Sequence, residues 1–185
     1  MSISSFEELL RGLSKYIHKK NIKGRKPLTA LEMLALTVRF LATGSDFKTM
    51  HTNYYRGAST IAKIVRTVCR AIWKHLLSQN IPPITRQLLE DVAIDFNKNA
   101  SFPNCIGALD GKHVRIWCPA HNGSLFYNYK SYNSIVLLAL VDSTYRFIFV
   151  DIGAYGKEND STVFQNSKLY DLIMKHKLPI PAPKP

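Results

Sequence analysis

The chain has 185 residues, 46% of them hydrophobic, enough for one large domain or two small ones around a packed core. Its 25 Lys and Arg against 13 Asp and Glu leave a formal charge of +12, which points to a polyanion such as nucleic acid as partner. The longest apolar run, Ile135 to Val141, is too short to cross a bilayer, so no membrane partner is expected. The opening "MSISSFEELL" lacks the basic-then-apolar order of a secretory signal. Three cysteines, Cys69, Cys105 and Cys118, form no CxxC pair and read as reduced intracellular thiols.

In chain order, residues 1 to 27 form a basic N-terminal segment, whose stretch 15 to 26, "KYIHKKNIKGRK", holds six basic groups and no acid. Residues 28 to 99 read as a helical domain. Thr29 and Glu32 make the T-x-x-E box that opens a helix, followed at helical spacing by Leu31, Leu34, Ala35, Val38 and Leu41, and Gly44 is placed to end it. A short helical stretch over about 46 to 54 leads to the turn "YRGAS", where Ser59 can cap a second long helix with the stripe Ile61, Ile64, Val65, Val68, Ile72 and Leu76. Lys63, Arg66, Arg70 and Lys74 fall together on another side of it. Two helices around a tight glycine turn, the second one basic, fit a helix-turn-helix, in which Ser59 and Thr60 would meet a duplex and the basic row would lie along phosphates. An ordinary helical bundle with a solvated Lys/Arg face fits the same pattern.

Pro82 and Pro83 interrupt the helices, one more helix spans about 85 to 96, and "NKNASFPN" marks a domain boundary near residue 100. Residues 100 to 178 change period. Strands are expected at 106 to 117, at 134 to 141 (a continuous aliphatic run suited to a central strand covered on both faces) and at 147 to 152. A helix capped by Asp160 should then run to about Lys177, and residues 179 to 185 end the sequence as a Pro-rich tail. The fold class is α/β: a helical, helix-turn-helix-like region and then three antiparallel strands and a helix.

Asp110 stands out because its strand neighbours of equal parity, Ala108, Val114 and Ile116, are apolar. A carboxylate aimed at an apolar side calls for a cation, either Mg²⁺ or a basic neighbour such as Lys112 or Arg115, and a bulge at Gly111 would reset Lys112. Asp160 is accounted for as a helix cap, and Asp142 and Asp151 read as solvated surface acids. Cys105, His113, Cys118 and His121 fit no standard zinc spacing. "FYNYKSYN", residues 126 to 133, interleaves aromatic rings with Lys130; it suits stacking on bases or an ordinary Tyr-rich strand edge. No GxxxxGK[ST], GxGxxG or GxSxG motif is present.

Two segments in the right order, "LTALEMLALTVRFLATGSDFKTMHTNYYRGASTIAKIVRTVC" and "ALDGKHVRI" with "FYNYKSYNSIVLLALVDSTYRFIFVDIGAYGKENDSTVF", resemble the PIF/Harbinger superfamily of DDE transposases and their domesticated nuclease relatives, over about residues 25 to 178. The resemblance implies a ribonuclease-H-like fold and a nucleus-located enzyme that hydrolyses and joins DNA phosphodiesters with a divalent metal, Mg²⁺ or Mn²⁺. Its first catalytic and metal-binding acid maps onto Asp110, and Asp160 matches a recurring position that would support the metal site. The second and third acids are expected beyond the residues given, so this chain is expected to be inactive, or else a non-catalytic DNA-binding or protein-interaction module. An open sheet edge at the Asp110 strand would favour homo-oligomers or a partner protein.

Overall fold

The computed structural model describes residues 1–17 and 28–183; the greater part of the basic run 15 to 26 therefore lies outside the described residues. The chain divides into two compact units, Met1–Asn80 and Ile81–Pro185.

Among its described residues the first unit packs four helices: α1 (Ile3–Ile17), α2 (Ala30–Thr43), α3 (Phe47–Tyr54) and α4 (Ala58–Asn80). Helix α1 falls where only a basic segment was expected. Phe6, Leu9, Leu10, Leu13 and Ile17 recur at helical spacing, and Leu13 and Ile17 are fully buried. Helix α2 opens as its sequence dictates: Thr29 Oγ1 accepts from the Glu32 amide at 3.2 Å, and Glu32 Oε2 accepts from the Thr29 amide at 2.8 Å. The Thr29 amide and the Thr29 hydroxyl, which donates to Oε2 at 3.0 Å, hold the Glu32 carboxyl below its ordinary value. Its buried arc, however, is Met33, Leu34, Leu36 and Thr37, with Leu31 and Leu41 left exposed. Helix α2 packs on both α1 and α4, so its inner face is wider and rotated from the expected stripe. Thr37 is tolerated there because its hydroxyl donates to Met33 O at 2.8 Å.

Helix α4 keeps the expected core stripe, with Ile61, Ile64, Val65 and Val68 buried and Ile72 and Leu76 packed against them. Its first residue is Ala58, and the Ile61 amide bonds Gly57 O. Ser59 therefore sits inside the first turn and is not the cap.

The second unit begins with α5 (Arg86–Ala100), followed by β1 (Ala108–Arg115), β2 (Ser134–Val141), β3 (Phe147–Tyr155), α6 (Asp160–Gln165) and α7 (Lys168–Met174). The division falls at Asn80/Ile81 and not near residue 100. Leu89 and Val92 of α5 share a core cluster with Leu140, Ile148 and Leu169, which ties that helix to the sheet. The sheet is antiparallel in the order β1-β2-β3. One helix was expected from 160 to 177, but two form. Ser167 lies between them and caps α7 by accepting from the Tyr170 amide at 3.2 Å.

Register fixes which side chains share a face. Asp110 pairs with Ala139, Gly111 with Leu138, Lys112 with Leu137 and His113 with Val136. Ser134, Val136, Leu138 and Leu140 are buried, and the helices cover that side. The other face carries Asp110, Lys112, Val114, Ile135, Leu137 and Ile152, and it is largely open. The aliphatic run 134 to 141 is thus covered on one face and not on both. A three-stranded sheet whose helices all pack on one side leaves the other face to solvent.

Candidate functional site around the β1 edge

Asp110 does not occupy a buried strand. It lies exposed on the open face of β1, an edge strand, so its charge needs no compensating cation. The β1–β2 register runs unbroken through Gly111; the irregularities lie between β2 and β3. No bulge resets the parity, and Lys112 shares the face of Asp110. Among the described residues Asp110 joins no ion pair.

Asp160 stands on the other side of the same strand. The cap of α6 is Asn159, whose Oδ1 accepts from the Thr162 amide at 2.8 Å, so Asp160 is the first residue inside the helix. An acid in the first turn suits the helix dipole. Its carboxylate lies against Gly111, so closely that a Cβ there would overlap Asp160 Oδ1 and Cγ. This close approach explains a glycine inside a strand. Successive strand residues point to opposite faces, so Asp110 and Asp160 flank β1 from opposite sides.

Next to Asp160, residues 126 to 133 form a loop built around Asn128, which is only 3% exposed. Asn128 Oδ1 accepts from the amides of Lys130 (2.9 Å) and Tyr132 (3.3 Å), and its Nδ2 donates to Ser134 Oγ at 2.8 Å. The same hydroxyl lies 2.9 Å from His113 Nδ1 on β1, and Tyr129 packs edge-on to the His113 ring at 5.5 Å. Gly156 closes the base of the loop, where a Cβ would strike Phe126 O and the Ser134 oxygens. Arg115 lies 4.4 Å above the Tyr132 ring, and Lys130 Nζ 5.2 Å from that of Tyr129. Tyr129, through a side-chain hydrogen bond and then its charge, raises the Lys130 ammonium above its ordinary value, and Asp160 adds a smaller electrostatic contribution.

Asp142, read from sequence as a solvated acid, is in fact buried and structural. Burial pushes its carboxyl up, but donors from the Arg146 and Thr144 amides, the Thr144 hydroxyl and Arg146 Nε outweigh that and hold it below the usual range. It shapes the β2–β3 turn and lies outside the candidate site.

On helix α4, Ser59, Lys63, Arg66, Arg70 and Lys74 are exposed and Thr60 is half-buried. They belong to the helical unit, whereas Asp110 and Asp160 belong to the sheet unit. Among the described residues no three His, Cys, Asp or Glu side chains converge on one point. Two carboxylates on opposite sides of a strand do not supply the several converging oxygens that a divalent cation site requires.

Residues 109–183, from β1 onward, match the family model of the DDE superfamily endonucleases. The superfamily is a nuclease class that generally uses divalent metal. The chain is also similar to Protein ALP1-like of Arabidopsis thaliana, at 28% identity over 153 residues, which is 82% of this chain and 37% of that protein's length. The chain thus spans little more than a third of this relative. No solved structure matches it. Among the described residues no helix is long and apolar enough to cross a membrane.

Proposed function

We propose that this chain derives from a Harbinger-type DDE transposase and acts on DNA in the nucleus. Asp110 would be the first acid of a ribonuclease-H-like site on β1, with Asp160 supporting it from α6. The observation that carries the reading is the superfamily match that begins at Leu109, one residue before that acid. In the helical unit, α3, the turn after it and α4 would act as a helix-turn-helix. Ser59 and Thr60 would meet the duplex, and Lys63, Arg66, Arg70 and Lys74 would lie along phosphates.

The 185-residue polypeptide by itself is expected to hold Mg²⁺ or Mn²⁺ weakly and to nick DNA poorly or not at all, because its two candidate carboxylates do not converge. Incubation with supercoiled plasmid and either ion tests this. Nicking that Asp110→Ala abolishes would overturn the expected inactivity. Duplex affinity that falls steeply with salt, and falls further in Arg66→Ala and Arg70→Ala, would support binding through α4.

A second reading, a protein-interaction module, is favoured by one observation. The outer side of β1 has no strand partner among the described residues, and Leu109, Val114 and Trp117 are exposed along it. Light scattering of the chain expressed alone should then detect oligomers; a clean monomer counts against this reading.

A further inference from the structure

We infer that the loop 126–133, braced on β1, is a platform for unpaired nucleotides of a DNA strand. The inference rests on the reading above that the chain acts on DNA, and it adds where on the sheet unit that DNA sits and in which form. Three features of this loop together carry it.

The loop is held rigidly. Both ends of the Asn128 amide bond within the fold, one to the loop's own backbone and the other to the Ser134 hydroxyl beside His113. A loop pinned from inside can present side chains outward at little further cost in entropy on binding.

Tyr129, next to the buried Asn128, is 79% exposed; its ring meets His113 edge-on and has Lys130 close by, and most of its surface faces solvent. Trp117 is 97% exposed. It follows Ile116, whose amide bonds Asn133 O, so the backbone of Trp117 leaves β1 beside the end of the same loop.

Cations are interleaved with these rings. Lys130 lies near the Tyr129 ring, and Arg115 stacks on Tyr132, at the distances given above. Phosphate contacts alternating with stacking faces match the repeat of a nucleotide chain. In a duplex the base faces are already stacked on one another, so protruding rings such as Tyr129 and Trp117 would find only base edges. An unpaired base offers its whole face.

Fluorescence anisotropy of the full chain with labelled oligothymidylate, and with a labelled duplex of the same length, tests the assignment. Tyr129→Ala should weaken oligothymidylate binding between about fivefold and a hundredfold and affect duplex binding far less. Tyr129→Phe should bind like the wild type, since stacking does not need the hydroxyl. Lys130→Ala should lower the slope of log affinity against log salt by about 0.7, one single-strand phosphate contact. The inference falls if Tyr129→Ala and Lys130→Ala leave oligothymidylate affinity unchanged while the duplex still binds; DNA binding by the chain then stands. Equal weakening on both oligonucleotides would also overturn it, by making the loop a general phosphate contact. Failure of the wild-type chain to bind either DNA would overturn both the platform and the reading beneath it.

Discussion

The two compact units solve the burial problem differently. In the helical unit, Leu13, Met33, Leu34, Leu36, Met50, Ile61, Ile64 and Val68 are completely buried, and α1, α2 and α4 close around them in mutual contact. In the sheet unit the helices cover one face, while Val114, Phe147 and Ile152 remain between 42% and 48% exposed on the sheet. A helix needs only a stripe of cover, which its neighbours supply, but a sheet has two faces and needs layers on both. The candidate chemistry lies in the less completely covered unit, with Asp110 on the open face and Asp160 on the covered side.

That contrast can be broken most sharply in the two cores. Ile64→Ala should cost about 2–5 kcal/mol in urea unfolding followed by circular dichroism, whereas Ile152→Ser on the open face should stay within roughly 0.5 kcal/mol and reduce self-association. Equal costs would mean that the open face is covered in solution.

Gly111→Ala probes the contact between β1 and α6. The added methyl meets the Asp160 carboxylate, and a loss of about 1–3 kcal/mol is expected. Asp160→Ala alone should cost less, and the double variant should recover much of the loss. Additive losses would show that the two positions do not touch.

A smaller effect is expected at the β2–β3 turn. Asp142→Asn keeps the shape but removes the charge that four donors address, so about 1–2 kcal/mol should be lost at neutral pH. The sign with pH follows from the lowered carboxyl. The stabilisation is present above the unfolded aspartate's pKa and is lost as pH falls through the lower folded value. Asp142→Asn should therefore flatten the acid limb of the stability curve of the sheet unit. An unchanged limb would assign the acid sensitivity of that unit to its other carboxylates.

Local chemistry was legible in the sequence, since caps, turns and element types depend on residues a few positions apart. The Thr29–Glu32 box, the α4 stripe and β2 at 134 to 141 formed where the pattern placed them. Helix α1 is equally legible in the spacing of Phe6, Leu10, Leu13 and Ile17, although the basic stretch that overlaps its end is the more conspicuous local feature. The mid-strand glycine at 111 reads as a bulge in the sequence, whereas the register is unbroken there and the glycine makes room for Asp160. Asp110 could be placed on the first strand, but its exposure could not, because burial depends on what packs over that strand.

Periodicity and capping are one-dimensional, and the sequence by itself determined α2, α3 and α4, the three strands and the basic face of α4. Only the tertiary structure decided that α5 joins the sheet, that Asn128 anchors the tyrosine-bearing loop, and that Asp110 and Asp160 face away from each other across Gly111. Those outcomes depend on which segments, distant in the chain, exclude water from one another.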